Sequence, residues 1–245
     1  MPDSGGNRED DPDTQVLRDL NASPLNPLPA GVWLLLLAIA GVELVLVMAA
    51  QGWVGGPQGI GWRLQALERF AFSAAIQDWM FETRRAPWRH LIRYVAYPLV
   101  QPGPLAAVFV LAMLAGLGKV IGDRLGPVSL LLCGLVPPVL AAVVFGLIMG
   151  NDEMAWLIGA WPMVFGLVGA FTWSEWVRAE GDRVRQRRAF GLIGVLLLAR
   201  LGFGLMAESG QGWIADLVAF GIGFCLAFAL QPGGWARLRV RLRQR

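Results

Sequence analysis

The chain has 245 residues, of which 56% are hydrophobic, with a formal net charge of +3 and a mean hydropathy of +0.53. Soluble domains average about 45–50% apolar residues, so this composition excludes an ordinary water-soluble globule and predicts an integral membrane protein. Two cysteines and one histidine are too few for a metal site, and we expect no bound metal or cofactor.

The chain opens with a polar segment, residues 1–27, in which acidic residues outnumber arginines and which lacks the pattern of a cleavable signal peptide. Such a segment cannot bury enough apolar surface to fold alone. We therefore predict a disordered acidic tail on the cytoplasmic side.

Six segments are apolar and long enough to cross a bilayer, which takes about 20 residues each. They are residues 31–50, 98–117, 127–149, 155–173, 189–207 and 213–230. In lipid each segment must satisfy its own backbone polar groups, so all six are predicted helices. Residues 28–231 then form one all-α membrane domain, in which Pro137, Pro138 and Pro162 are expected to kink or weaken their helices.

The first connecting loop, residues 51–97, is long and amphipathic. Its aromatic and aliphatic residues recur at roughly helical spacing beside Arg and Glu, from Trp62 to Phe81. Two compatible interpretations follow: a helix that lies in the lipid headgroup region, or an amphipathic helix that packs on the bundle.

The distribution of basic residues predicts the orientation in the membrane. Basic residues concentrate in residues 174–188, in the tail 232–245, and at Lys119 and Arg124, whereas the alternate loops near Asn151 and Glu208 have none. Both termini are therefore predicted to be cytoplasmic, with the bacterial inner membrane as the expected location. The arginine-rich first loop conflicts with this assignment, but three regions outweigh one. The basic tail is expected to contact anionic lipid headgroups rather than nucleic acid, because lipid is its nearest polyanion.

Four short motifs follow one another along the chain, three of them rich in glycine. Trp88-Arg89 precedes the second span, residues 118–126 read GKVIGDRLG, residues 159–170 read GAWPMVFGLVGA, and residues 216–223 read DLVAFGIG. In this order and spacing the motifs resemble those of the rhomboid family of intramembrane serine proteases. The matching frame residues are Gly159, Gly166, Gly169, Arg124, Gly126 and Gly223.

The resemblance implies a six-helix bundle but places no catalytic side chains on this chain. The family's nucleophilic serine aligns with Trp161, and its histidine aligns with Phe220, or with Asp216 if the sixth helix is shifted by one turn. The His and Asn that support the oxyanion in the family align with Ala106 and Val110.

The residues alone lead to the same expectation. The single histidine, His90, lies ahead of the second predicted span, and no serine occurs in the fourth or sixth. The single lysine, Lys119, lies at a helix end, so neither a Ser–His nor a Ser–Lys dyad can form inside the bilayer. We therefore expect a catalytically inactive protein.

Three charged residues fall inside predicted spans: Glu43, Arg200 and Asp216. A charge at the centre of a bilayer costs about 2.5–3.5 kcal/mol on insertion scales, so each one needs a partner. We expect Arg200 to pair with Asp216 or with Glu43. Such a pair serves either as an interhelical clamp or as a polar site for a client or an ion.

By resemblance, the predicted function is that of a rhomboid-like pseudoprotease that binds transmembrane helices of other membrane proteins in an adaptor, quality-control or assembly role. Two alternatives stay open from the sequence. One is a structural or assembly subunit of a larger membrane complex. The other is an active intramembrane serine protease with a rearranged site.

Overall fold

A computed structural model describes residues 28–150, 152–179 and 211–231, together with scattered positions between 182 and 198. Both predicted tails lie outside the described residues. So do Arg200 and most of the fifth predicted span, residues 189–207.

The described chain is built almost entirely of helices. In chain order they are α1 (Ala30–Ala50), α2 (Trp62–Phe70), α3 (Ala74–Thr83), α4 (Trp88–Leu91), α5 (Arg93–Ala96), α6 (Pro104–Leu125), α7 (Pro127–Met149), α8 (Trp161–Arg178) and α9 (Trp213–Leu230). Short 3-10 helices cover Gly56–Gly61 and Tyr97–Leu99. Two short strands, β1 (Phe72–Ser73) and β2 (Trp156–Leu157), pair antiparallel, with Phe72 opposite Leu157.

Four of these helices, α1, α6, α7 and α9, have the length and apolar composition needed to cross a membrane. Helix α8 has 18 residues but is less apolar, because Ser174, Glu175 and Arg178 lie near its end. The predicted all-α membrane bundle is confirmed, whereas the total of six spans stays a prediction.

Helix α8 occupies the middle of the bundle. Residues 162–170 are all buried, and the helix packs against α6, α7 and α9, with the most extensive contact to α9. Large apolar side chains on the outer helices, such as Leu37, Leu44, Phe109 and Leu147, are exposed. Helix α8 is therefore enclosed by other helices of the bundle, whereas the outer helices turn apolar side chains outward.

The predicted limits of α1, α7 and α9 agree with the structure to within one residue. Those of α6 and α8 do not, and these helices also end later than predicted, at Leu125 and Arg178 rather than at residues 117 and 173. Residues 127–149 and 213–230 coincide with α7 and α9. The second helix starts at Pro104 rather than at Pro98, because Tyr97–Leu99 forms a buried 3-10 turn and Gly103 is extended. The fourth starts at Trp161 rather than at Ala155, because β2 and the positive φ of Gly159 (84°) precede it.

The first loop is a folded unit that packs on α7. The buried Gln77 of α3 donates to the Val143 carbonyl (3.1 Å) and accepts from the Tyr94 hydroxyl (2.8 Å). The Arg93 guanidinium donates to the carbonyls of Ala71 (2.7 Å) and Glu68 (2.8 Å) at the end of α2. These bonds fix the loop on the same end of the bundle as the start of α6.

Candidate functional site at the start of α8

Glycines bring the backbones of α8 and α9 into direct contact. A Cβ atom added to Gly223 would overlap the carbonyl of Gly166, and one added to Gly169 would overlap the carbonyl of Phe220. On its other side Gly166 faces α7, where a Cβ would lie 2.7 Å from the Pro137 ring. Small residues allow this close approach between membrane helices.

The two helices run in the same direction. Gly166 meets Gly223, and further along Trp173 packs on Phe224 and Phe228, with ring centroids 5.2 and 5.1 Å away. Trp161 precedes Gly166 by five residues and Phe220 precedes Gly223 by three. The Phe220 carbonyl lies against Gly169, eight residues after Trp161, so the two positions are not level along the pair.

Both aromatic rings at these positions are half-buried and pack against the core. The Trp161 ring lies 6.4 Å from the Phe165 ring, and the Phe220 ring lies 6.3 Å from the Phe224 ring, measured between centroids. Both predicted dyad positions therefore carry apolar rings, on two neighbouring helices.

The two backbone N–H groups that directly precede α8 are already engaged in hydrogen bonds. The Gly159 N–H donates to the Tyr97 carbonyl (3.2 Å), and the Ala160 N–H donates to Oε1 of the buried Gln101 (3.4 Å). Pro162 has no N–H to offer. The first turn of a helix otherwise presents free N–H groups that can stabilise an anion.

The facing part of α6 adds no polar side chain at the two predicted oxyanion positions. Val110 is fully buried and Ala106 is half-buried, and neither side chain can donate a hydrogen bond.

The buried Glu43 pairs with an arginine of the first loop. The guanidinium of Arg63 donates from Nη2 to Glu43 Oε1 (2.6 Å) and from Nη1 to Glu43 Oε2 (3.1 Å). Nη1 also donates to the Gln101 carbonyl (2.9 Å). Both carboxylate oxygens of Glu43 thus accept from Arg63, and the predicted pairing of Glu43 with Arg200 lies outside the described residues.

The carboxylate of Asp216, in the first turn of α9, is fully buried. Burial raises the pKa of Tyr97 well above its ordinary value, and the negative charge of Asp216 raises it further. Asp216 thus lies within electrostatic range of the 3-10 turn before α6. The Tyr97 hydroxyl donates to the Pro138 carbonyl (2.9 Å). The predicted partnership of Asp216 with Arg200 lies outside the described residues.

A family model of the Rhomboid domain matches residues 88–233, more than half of the chain. The chain belongs to the rhomboid family. A search of curated proteins finds no significant match. The matched region runs from α4 to the end of α9, so the rhomboid domain contains the α8–α9 contact and leaves α1 to α3 outside the match.

Two residues of the rhomboid motif at the end of α6, Arg124 and Gly126, stabilise the fold. The Arg124 guanidinium lies over the Phe171 ring (5.5 Å to the centroid), donates to the Ser174 hydroxyl (2.9 Å) and pairs with Glu175 (2.5 Å). Gly126 links α6 to α7 as a single residue with a φ of 86°. Arg124 therefore ties α6 to α8, and Gly126 permits a left-handed turn that a side chain would disfavour.

Sequence reasoning missed the polar residues that connect the loop to this rhomboid site. Arg63 binds Glu43, and Gln101 binds the backbone at the start of α8. Arg93 binds the backbone at the end of α2. The available signal was weak: a lone amide such as Gln101 within an apolar stretch needs a partner if it is buried.

Proposed function

We propose that this chain is a rhomboid pseudoprotease that binds transmembrane segments of other membrane proteins. The proposal rests on Trp161, with which the family's serine aligns in the sequence resemblance. Trp161 is the first residue of α8, and its ring packs against the core beside Phe165.

Peptide hydrolysis by a serine mechanism needs a hydroxyl nucleophile, a base that takes its proton and donors for the developing oxyanion. Trp161 and Phe220 supply neither nucleophile nor base, and Pro162 removes a backbone donor at the same place. Apolar rings are also cheaper to bury than the polar groups of a dyad. His90, the single histidine, lies on α4, where its ring contacts Trp79 (5.8 Å between centroids).

A client helix needs a surface that the bundle has not used. The glycines Gly166 and Gly169 already contact Pro137 and α9. Gly41 on α1 and Gly116 on α6 are exposed and have open space where a Cβ would be. Exposed apolar residues flank Gly41 on its face of α1, which favours close contact with a helix from outside.

The absence of hydrolysis is tested on the purified protein in detergent and in liposomes. We expect no cleavage of a fluorogenic transmembrane substrate and no labelling by a serine-directed fluorophosphonate, while an active rhomboid protease run in parallel gives both signals. Turnover that follows the protein through successive purification steps would restore the enzymatic alternative.

Client binding is tested by photo-crosslinking to a synthetic transmembrane helix with a Gly-x-x-x-Gly face. We expect Gly41→Leu or Gly116→Leu to reduce crosslinking about tenfold without changing thermal stability, because the added side chain prevents close approach. Gly221→Leu, at an open position on α9, serves as the control. Unchanged crosslinking in both variants contradicts these surfaces, and a constant stoichiometric partner after native purification supports the structural-subunit alternative.

A further inference from the structure

The turn between α3 and α4 presents three exposed arginines, Arg84, Arg85 and Arg89, which we name the arginine turn. Two large rings, Phe81 and Trp88, stand beside it with 58% and 66% of their surfaces exposed. The turn lies in the first loop, at the end of the bundle where α1 ends and α6 begins.

The backbone at Arg84 is unfavourable for an arginine. Its φ of 53° and ψ of 32° lie in the left-handed region, and it is the only non-glycine residue with positive φ in the described part of the chain. The Arg84 N–H donates to the Phe81 carbonyl (3.3 Å) and the Arg85 N–H to the Met80 carbonyl (3.2 Å), which is the helix ending that normally selects glycine. A strained residue at a surface position points to a function of its side chain.

The arginine turn is held on a fixed support. On the inner face of α3, Met80 and Gln77 are buried, and Gln77 occupies the space above Gly146 of α7. On the far side of the turn, the His90 ring of α4 packs against Trp79. The three guanidinium groups therefore extend from a rigid platform.

Within the residues that the structure describes, no carboxylate forms an ion pair with any arginine of the turn. The nearest acidic residues in sequence are Asp78, which is half-buried, and the exposed Glu82. By contrast, two other arginines of the same loop are engaged: Arg63 with Glu43, and Arg93 with backbone carbonyls. The charges of the turn are thus available to an outside anion.

We propose that the arginine turn binds the headgroups of anionic phospholipids in the membrane leaflet at this end of the bundle. Guanidinium groups match phosphate in geometry and charge. Exposed Phe and Trp rings beside arginines are typical of surfaces at the lipid headgroup level, where the ring enters the acyl boundary and the charge meets the phosphate. The proposal depends on the membrane embedding of the domain and not on the loss of catalysis.

The test measures the dissociation constant of short-chain phosphatidylglycerol for the full chain in a non-ionic detergent. Phosphatidylcholine, which carries a phosphate but no net charge, and inorganic phosphate are measured in parallel. We expect selective binding of phosphatidylglycerol. Replacing all three arginines by glutamine should weaken it about 100-fold, or about fivefold per charge.

Two single variants separate recognition from folding. Arg84→Gly should weaken lipid binding about fivefold while the melting temperature stays the same or rises, because glycine relieves the left-handed strain. Arg84→Lys retains the charge and should bind within about twofold of the parent. Glu82→Gln removes the neighbouring carboxylate and should tighten binding a few-fold.

Three results would overturn the proposal. They are phosphatidylglycerol selectivity that survives loss of all three arginines, equal binding of inorganic phosphate, and an Arg84→Gly variant that binds lipid as tightly as the parent while its melting temperature clearly falls. Selectivity without the arginines would exclude the turn as the lipid site, and equal binding of inorganic phosphate would indicate a site for free anions. The Arg84→Gly result would show that Arg84 has a purely structural role.

Discussion

At the scale of single residues, the charge of Glu43 inside a membrane-spanning helix is balanced by Arg63 from the first loop. Glu43 is buried within α1, and the two-pronged contact with Arg63 lets both carboxylate oxygens accept hydrogen bonds. The same guanidinium reaches the Gln101 carbonyl, and the Gln101 side chain accepts from Ala160 ahead of α8. A chain of polar contacts thus links the first span to the site.

Removing Arg63 tests that link. We expect Arg63→Met to lower the free energy of unfolding by about 3 kcal/mol, since it leaves a buried carboxylate without its counter-ion. Lys119→Met breaks the more exposed pair with Asp123 and should change stability by about 0.5 kcal/mol or less. Thermal unfolding in detergent measures both, and similar melting temperatures for the two variants would contradict the assigned importance of the pair.

At the scale of elements, the contact of α8 with α9 depends on the absence of side chains. Gly166 and Gly169 on one helix and Gly223 on the other leave no room for a methyl group. The contact fixes the relative positions of the two helices that carry Trp161 and Phe220.

Two glycines on α9 provide a matched test of this contact. We expect Gly223→Ala to destabilise the protein by about 3 kcal/mol or more, because the helices must move apart. Gly221→Ala has open space around it and should be neutral or stabilising by about 0.5–1 kcal/mol, because alanine favours the helix. Equal denaturation midpoints for the two variants would show that the backbones are not in contact.

For the helices, the sequence predicts some limits but not others, and it does not predict the polar contacts between helices. The limits of α7 and α9 follow from apolar runs that start or end beside Pro, Gly or a polar residue. The start of α6 could not be predicted in this way, because residues 98–100 are also apolar but belong to an inward-packing turn ahead of the helix. Gln77 and Arg63 find their partners only through tertiary folding, 66 and 20 residues away in the chain.

At the scale of the whole molecule, the arginines of the first loop conflict with a loop that lies outside the cytoplasm, and the structure reduces this conflict. Of the arginines in the first loop, Arg63 is neutralised by Glu43 and Arg93 is bound to carbonyls. Cytoplasmic termini therefore stay the prediction.

Cysteine labelling in intact cells tests this orientation. With Cys133 and Cys225 replaced by alanine, a membrane-impermeant maleimide should label Glu153→Cys from outside and Asp123→Cys only after permeabilisation. The two positions lie beyond opposite ends of α7, so they report on opposite sides of the membrane. The reverse pattern would invert the topology.

The pairing of Glu43 with Arg63 has a consequence for synthesis. The two residues are 20 positions apart, and α1 emerges from the ribosome before its counter-ion. At about 5–20 residues per second, the carboxylate waits about 1–4 s for the guanidinium. During that interval a charged side chain in lipid costs about 2.5–3.5 kcal/mol, so α1 is expected to stay beside the translocon until the loop has been translated.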